Sequence, residues 1–100
     1  GRDARHREDW MRVRYQVMTR LVTRKFLDHP ELAEWLLTTG DALIIEGNDW
    51  HDNIWGNCTC GQLWRPECLR PGKNYLGQIL MAVREVLRQV KELQGSLPTT

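Results

Sequence analysis

Residues 74–95 read NYLGQILMAVREVLRQVKELQG, and this stretch decides the fold of the chain. Apolar side chains recur in it every three or four residues, which is the spacing of a helix with one buried face. We therefore predict a C-terminal helix that Asn74 caps and Gly95 ends. Its apolar stripe consists of Leu76, Ile79, Leu80, Val83, Leu87 and Val90.

A first helix is predicted from Asp9 to about Phe26, because apolar residues again recur at three-to-four spacing. They form two adjacent rows, Trp10, Val13, Val17 and Leu21 beside Met11, Met18 and Val22. Either row suits a buried face. The residues before this helix are polar, and we expect them to be frayed or extended.

A second, short helix is predicted after Asp28 or His29, either of which can cap it. Pro30 fits the first turn of a helix, and Gly40 provides a left-handed stop at its end. The buried row of this helix is predicted to be Leu32, Trp35 and Leu36.

Residues 42–45, Ala-Leu-Ile-Ile, are too few for a helix and predict a short buried strand. A single strand needs a partner, and no other segment of the 100 residues is a good candidate. Residues 47–73 follow as a long segment without periodicity. Trp50, Trp55 and Trp64 lie in it, and because exposing tryptophan on flexible chain is costly, we predict an ordered, functional loop.

These patterns predict a mostly helical α+β fold with three main helices, one short strand and a long ordered loop that contains tryptophan and cysteine. One hundred residues are enough for a single domain. We place that domain at residues 9–95, between a polar segment at 1–8 and a tail at 96–100. No apolar run approaches the roughly 20 residues of a membrane helix, so a soluble protein without membrane partners is expected.

Charge is distributed unevenly although the formal net charge is only +1. Residues 1–25 contain eight basic and three acidic side chains, whereas the acidic side chains predominate in the remainder. A basic end can attract phosphate or a polynucleotide, and it can equally be a solvated helix face. A small nucleic-acid-binding helical domain is therefore one functional alternative.

The three cysteines, Cys58, Cys60 and Cys68, lie in one loop and are odd in number. This favours a reducing compartment, and hence a cytoplasmic protein, over a disulfide framework. With His51 they could supply four ligands to a structural zinc ion, although CxC is not the usual paired CxxC spacing. The alternative is free thiols. Four protein ligands would leave no open position, so a metal here would staple the loop rather than catalyse.

Residues 46–56 bring carboxylates and large aromatic rings into one turn-rich segment. Glu46, Asp49 and Asp52 are the acids, with Trp50 and Trp55 beside them. Such groups can desolvate a substrate, stack on a planar ring and supply a base. The same acids can equally form turn hydrogen bonds, and the indoles can pack on the core.

A longer set of motifs resembles the NADAR (YbiA-like) family. The motifs are REDW at 7–10, VM at 17–18, KF at 25–26, LLTTG at 36–40, DxxWG at 52–56 and NYLGQILMAVR at 74–84. Members of that family cleave N-glycosidic bonds in riboflavin-pathway intermediates or in ADP-ribosylated nucleobases. The resemblance implies a hydrolase that acts on a ribosyl-phosphate or ADP-ribose conjugate and requires no cofactor.

The resemblance also implies site residues. Asp52 is the first catalytic candidate, because a carboxylate can stabilise a cation-like sugar or activate water. Glu46 lies outside the matched motifs; as a glutamate at the end of the predicted strand, it could be a second carboxylate or could equally pair with an arginine. Trp55 would stack on the base or pack in the core, with Gly56 beside it. We expect the side chains of Asp52, Trp55 and Asn74 to face one cavity.

The remaining candidates for substrate binding are Asn74, Gly77, Arg84 and Lys25. Asn74 could hold a phosphate or ribose oxygen or simply cap its helix, and Lys25 could contact phosphate. Arg84 is expected to bind loop carbonyls or an acid. Family members also have an N-terminal half that these residues lack, so we expect that half or a second protomer as a partner. A non-catalytic nucleotide or ADP-ribose binding module is the alternative function.

Overall fold

Three helices form most of the computed structural model, which describes residues 4–96. Helix α1 spans Ala4–Asp28, α2 spans Pro30–Thr38 and α3 spans Tyr75–Ser96. Between α2 and α3 lie the two-residue strands β1 (Gly47–Asn48) and β2 (Asn57–Cys58) and a 3₁₀ helix, Pro66–Cys68. The mostly helical α+β fold is confirmed.

The core lies where the three helices meet, and its centre is the predicted stripe of α3. Ile79, Val83 and Leu87 of that stripe are buried against Leu36 of α2 and Phe26 of α1. Pro30 begins α2 as predicted, and Gly40 follows its end with a φ of +61°. His29 is the residue that precedes α2, but its side chain makes no capping hydrogen bond.

Helix α1 buries one of its two apolar rows and exposes the other. Met18 and Val22 pack against the core, whereas the row Trp10, Val13, Val17 and Leu21 is between 48% and 62% exposed. Both rows have helical spacing, so the position of buried Phe26 at the end of the helix decides which row faces inward. The helix also begins earlier than predicted, because residues 4–8 are helical rather than extended. The start of the predicted polar segment, residues 1–3, and the end of the predicted tail, residues 97–100, lie outside the described residues.

The segment at residues 42–46 is not the buried strand that the sequence predicts. It forms no ladder, and Leu43 and Ile45 are 71% and 54% exposed. Side chains, rather than a neighbouring strand, hydrogen-bond to its backbone. The Arg84 guanidinium donates to the carbonyl of Ala42, and the Asn74 amide donates to the carbonyl of Ile44. The parallel ladder starts only after this segment, where Gly47 and Asn48 pair with Asn57 and Cys58. The partner strand is therefore within the chain.

Among residues 4–96, none of the helices combines the length and the apolar character that crossing a bilayer requires.

Replacing Gly77 with Ala should destabilise the fold by about 1–3 kcal/mol, as overpacking a close contact does. A Cβ at this buried glycine would fall on the carbonyl oxygen of Ile44 and on the side-chain amide of Asn74. Gly95→Ala is the matched control, since no atom lies within 4 Å of its added Cβ. Urea unfolding of both variants measures the difference, and equal midpoints would show that α3 has room at position 77.

Candidate active site and cysteine cluster

The DxxWG element is a turn that the Asp52 carboxylate holds together. Its Oδ1 accepts hydrogen bonds from the backbone N–H groups of Ile54, at 3.0 Å, and Trp55, at 2.9 Å. The Asn48 side chain completes the turn by donating to the Asp52 carbonyl at 2.8 Å and accepting from its N–H at 3.0 Å. Of the two roles that the sequence leaves open for Asp52, the structure forms the turn hydrogen bonds.

Gly56 and Gly77 bring two parts of the chain against the segment at 42–46. A Cβ at Gly56 would fall on the carbonyl oxygen of Glu46, and a Cβ at Gly77 on that of Ile44. Next to Gly56, the backbone N–H of Asn57 donates to the Glu46 carbonyl at 2.8 Å. Both glycines are therefore required for close backbone approach.

Asn74 and Arg84 anchor the same segment through their side chains. Asn74 Oδ1 accepts the Glu46 N–H at 2.9 Å, and Nδ2 donates to the Ile44 carbonyl at 2.8 Å. Asn74 directly precedes α3, as predicted for an N-cap. Its side chain, however, bonds to this distant segment rather than to the first turn of the helix. Arg84, which is buried, donates from Nη1 to Thr39 Oγ1 and to the Ala42 carbonyl, both at 2.9 Å. Arg84 therefore binds a carbonyl of the segment at 42–46 rather than a carbonyl of the loop at 47–73.

A cavity of about 420 Å³ lies beside this anchored segment, between α1, α2 and the start of α3. Its charged lining residues are Lys25 and Glu46, and its walls are otherwise mostly apolar. Trp35 lines it as well and is 62% exposed. Glu46, Lys25 and the accessible Trp35 thus line one largely apolar hollow. A larger hollow of about 700 Å³ between α1 and Lys73 and Tyr75 contains none of the predicted site residues.

The expected common cavity for Asp52, Trp55 and Asn74 is not formed. Trp55 is half-buried, stacks on Tyr15 with ring centroids 6.4 Å apart, and meets Tyr75 edge-on at 6.0 Å. The indole packs against the core. Asp52 bonds to backbone N–H groups of its own turn, and Asn74 bonds to the backbone of the segment at 42–46. The structure instead brings together two other predicted residues, Glu46 and Lys25.

Trp35 is the member of this cavity that sequence reasoning missed, because it was placed in the buried row of α2. Leu36 is the buried residue of that helix, with Leu32, Ala33 and Leu37 packed partly against the core. Four aliphatic side chains are enough to cover one face of nine residues. The additional tryptophan was the available signal of an exposed ring on this helix.

Trp50 and Trp64 are 70% and 76% exposed, so of the three tryptophans in the loop Trp55 is the one that packs on the core.

The predicted metal ligands are brought together around Cys58 of β2. The ligand atoms of His51, Cys58, Cys60 and Cys68 all lie within 4.8 Å of one another. His51 Nδ1 is 3.6 Å from Cys58 Sγ and 3.4 Å from Cys68 Sγ, and both of these cysteines are buried. We call these four residues the cysteine cluster.

The thiols of the cysteine cluster differ in acidity. Burial raises the pKa of Cys58, but hydrogen bonds from the Cys60 backbone and from neighbouring thiol and imidazole groups outweigh it and lower that pKa to about 6. Burial raises the pKa of Cys68, and its hydrogen bond with Cys58 raises it further. Cys58 is therefore the thiol that ionises before Cys68.

Comparison with known proteins places the chain in the same family by a domain profile and by individual relatives. The profile of the NADAR domain matches residues 1–88. The chain is 42% identical to N-glycosidase Npun_R5314 of Nostoc punctiforme over 89% of this chain and 51% of that protein. It is 37% identical to N-glycosidase YbiA of Escherichia coli over 81% of this chain and 44% of that protein. The chain thus spans about half the length of these relatives.

A third relative is the riboflavin biosynthesis protein VVA0006 of Vibrio vulnificus, which is 40% identical over 83% of this chain and 20% of its own length. No solved structure matches the chain.

Proposed function

Since the chain belongs to the NADAR domain family, we propose that it is the site-bearing part of a hydrolase that cleaves the N-glycosidic bond of a ribosyl-phosphate or ADP-ribose conjugate. The names of the N-glycosidase relatives support the reaction class. The observation that carries the proposal is that Glu46, Lys25 and Trp35 line one cavity.

Glu46 is assigned the catalytic role in this proposal. Cleavage of an N-glycosidic bond passes through a sugar that carries positive charge at the anomeric carbon. A carboxylate beside that carbon stabilises the charge or takes a proton from the attacking water. Glu46 is half-buried at the cavity with its backbone anchored on both sides, whereas the Asp52 carboxylate is engaged by its own turn. Asp52 becomes a positioning residue.

Lys25 and Trp35 suit the two ends of such a substrate. The Lys25 ammonium at the cavity wall is a partner for phosphate, and the accessible Trp35 ring can stack on a planar base. Asn74, Gly56, Gly77 and Arg84 act through the segment that carries Glu46. No cofactor is required by this chemistry.

The domain at residues 9–95 is assigned to a reducing, cytoplasmic setting, because its three cysteines are odd in number and lie in one loop. The polypeptide that completes the length of the relatives, or a second protomer, remains the proposed protein partner.

Purified protein should release free base from an ADP-ribosylated nucleobase or from the glycosylamine of a pyrimidine ribosyl phosphate. Chromatography with mass detection measures the base and the ribosyl product. Saturable binding without product would overturn hydrolysis in favour of a binding module. Binding to a DNA or RNA oligonucleotide that falls steeply with salt, again without base release, would overturn it in favour of nucleic-acid recognition.

A further inference from the structure

We propose that the cysteine cluster, His51, Cys58, Cys60 and Cys68, is a structural zinc site with all four positions filled by protein. Three thiolates and one imidazole form one of the common ligand sets of structural zinc, and soft sulfur ligands select this ion over magnesium or calcium. The site lies apart from the proposed catalytic cavity, since none of the four residues lines that cavity.

The distances from His51 to two of the sulfurs fit a tetrahedral ion. With Zn–S near 2.3 Å and Zn–N near 2.0–2.1 Å, adjacent sulfur and nitrogen ligands of a tetrahedron lie about 3.6 Å apart. His51 Nδ1 lies 3.6 Å from Cys58 Sγ and 3.4 Å from Cys68 Sγ. The four ligand atoms converge within 4.8 Å. An ion can therefore bind without rearrangement of these two pairs.

The surroundings of the cluster already resemble the outer shell of a metal site. Asn53 donates from Nδ2 to Cys68 Sγ at 3.4 Å and accepts the Cys58 N–H on Oδ1 at 2.9 Å. Hydrogen bonds of this kind orient thiolate ligands and are typical of metal centres. His51 adopts a φ of +69°, an uncommon backbone conformation for a residue other than glycine, and in this conformation its ring faces the sulfurs.

A bound metal would stabilise a loop that has few buried apolar side chains. Leu63 and Trp64 are 80% and 76% exposed, so few apolar contacts hold this part of the chain together. An ion would join residues 51, 58, 60 and 68, and small domains commonly use a structural metal in this way. Since Cys58 lies in β2, which pairs with the strand that follows Glu46, the ion would also stabilise the site.

Metal analysis of the purified protein tests this proposal, and we expect about one zinc per chain. Substitution with Co²⁺ should give the thiolate charge-transfer and tetrahedral ligand-field absorption of a sulfur-rich site. A strong chelator should lower the melting temperature, and added Zn²⁺ should restore it. These measurements use the unaltered protein, so they hold even if a ligand variant fails to fold.

Cys68→Ser should abolish stoichiometric zinc binding, whereas His29→Ala, which changes an exposed histidine outside the cluster, should retain it. Protein that neither contains zinc nor binds Zn²⁺ or Co²⁺ at one equivalent under reducing conditions would overturn the proposal. A Cys58–Cys68 disulfide in protein prepared without reductant, together with absence of metal, would overturn it as well.

Discussion

Replacing Glu46 with Gln is expected to lower turnover by about 10²-fold to 10⁴-fold while substrate binding is retained. The substitution keeps the size of the side chain and removes the charge that would face the developing cation. Its backbone bonds to Asn74 and Asn57 are unaffected by the change. Steady-state kinetics and a binding titration with the same substrate separate the effect on kcat from any effect on affinity.

Asp52→Asn is the matched carboxylate-to-amide control. An asparagine at this position can still accept the backbone N–H groups of Ile54 and Trp55, so the turn should persist and turnover should fall far less. If Asp52→Asn abolished turnover and Glu46→Gln did not, Asp52 would be the catalytic carboxylate, as the motif resemblance implies. The two variants therefore decide between the two carboxylates.

Asn74→Ala is expected to reduce both stability and turnover. It leaves the partly buried Glu46 N–H and Ile44 carbonyl without their partner, at a cost of about 1 kcal/mol for each hydrogen bond. Turnover should fall as well, because the backbone that carries Glu46 is released. Denaturant unfolding measures the first effect, and the rate of base release measures the second.

Two further variants of Asn74 separate backbone strain from lost hydrogen bonds. Asn74 has a φ of +56°, so Asn74→Gly relieves strain but also removes the side chain. Asn74→Asp keeps the acceptor for the Glu46 N–H and loses the donor to the Ile44 carbonyl. We expect the glycine variant to remain destabilised; a glycine variant as stable as the unaltered protein would contradict the anchoring role.

The three helices could be predicted from the sequence because the three-to-four spacing of apolar residues is visible within each segment. The stripe of α3 is buried as its spacing indicates, and Pro30 and Gly40 delimit α2. The inward face of α1 could not be predicted in the same way, because its two apolar rows have equivalent spacing. Phe26, four residues after Val22, extends the buried row, and its place in the core distinguishes the two rows.

The segment at 42–46 shows the limit of propensity. Its β-branched and aliphatic residues predict a buried strand, but groups 28 to 42 residues away take its backbone hydrogen bonds. The sequence of residues 42–46 alone cannot show that distant side chains will bond to its backbone in place of a neighbouring strand. The same limit applies to the site: the sequence offered Asp52 and Glu46 as candidate acids, but it could not tell which residue holds a turn together and which one lines a cavity.

The metal ligands were predicted from residue type alone, and their spacing gave little help. The CxC pair and Cys68 converge because the pairing of β1 with β2 and the 3₁₀ helix bring them to His51. That convergence is a property of the fold, and the sequence could only offer the four residues as candidates.

Anchoring through the main chain has a consequence for mutational tolerance. The side chains of Asn74 and Arg84 hydrogen-bond to backbone carbonyl and N–H groups of residues 42–46. Every amino acid except proline provides both of these groups. The outward side chains of Leu43 and Ile45 can therefore drift during evolution, or be exchanged by a protein engineer, without displacing the neighbouring acid. Positions 56, 74 and 77 do not have this freedom, since there the identity of the residue itself makes the fit.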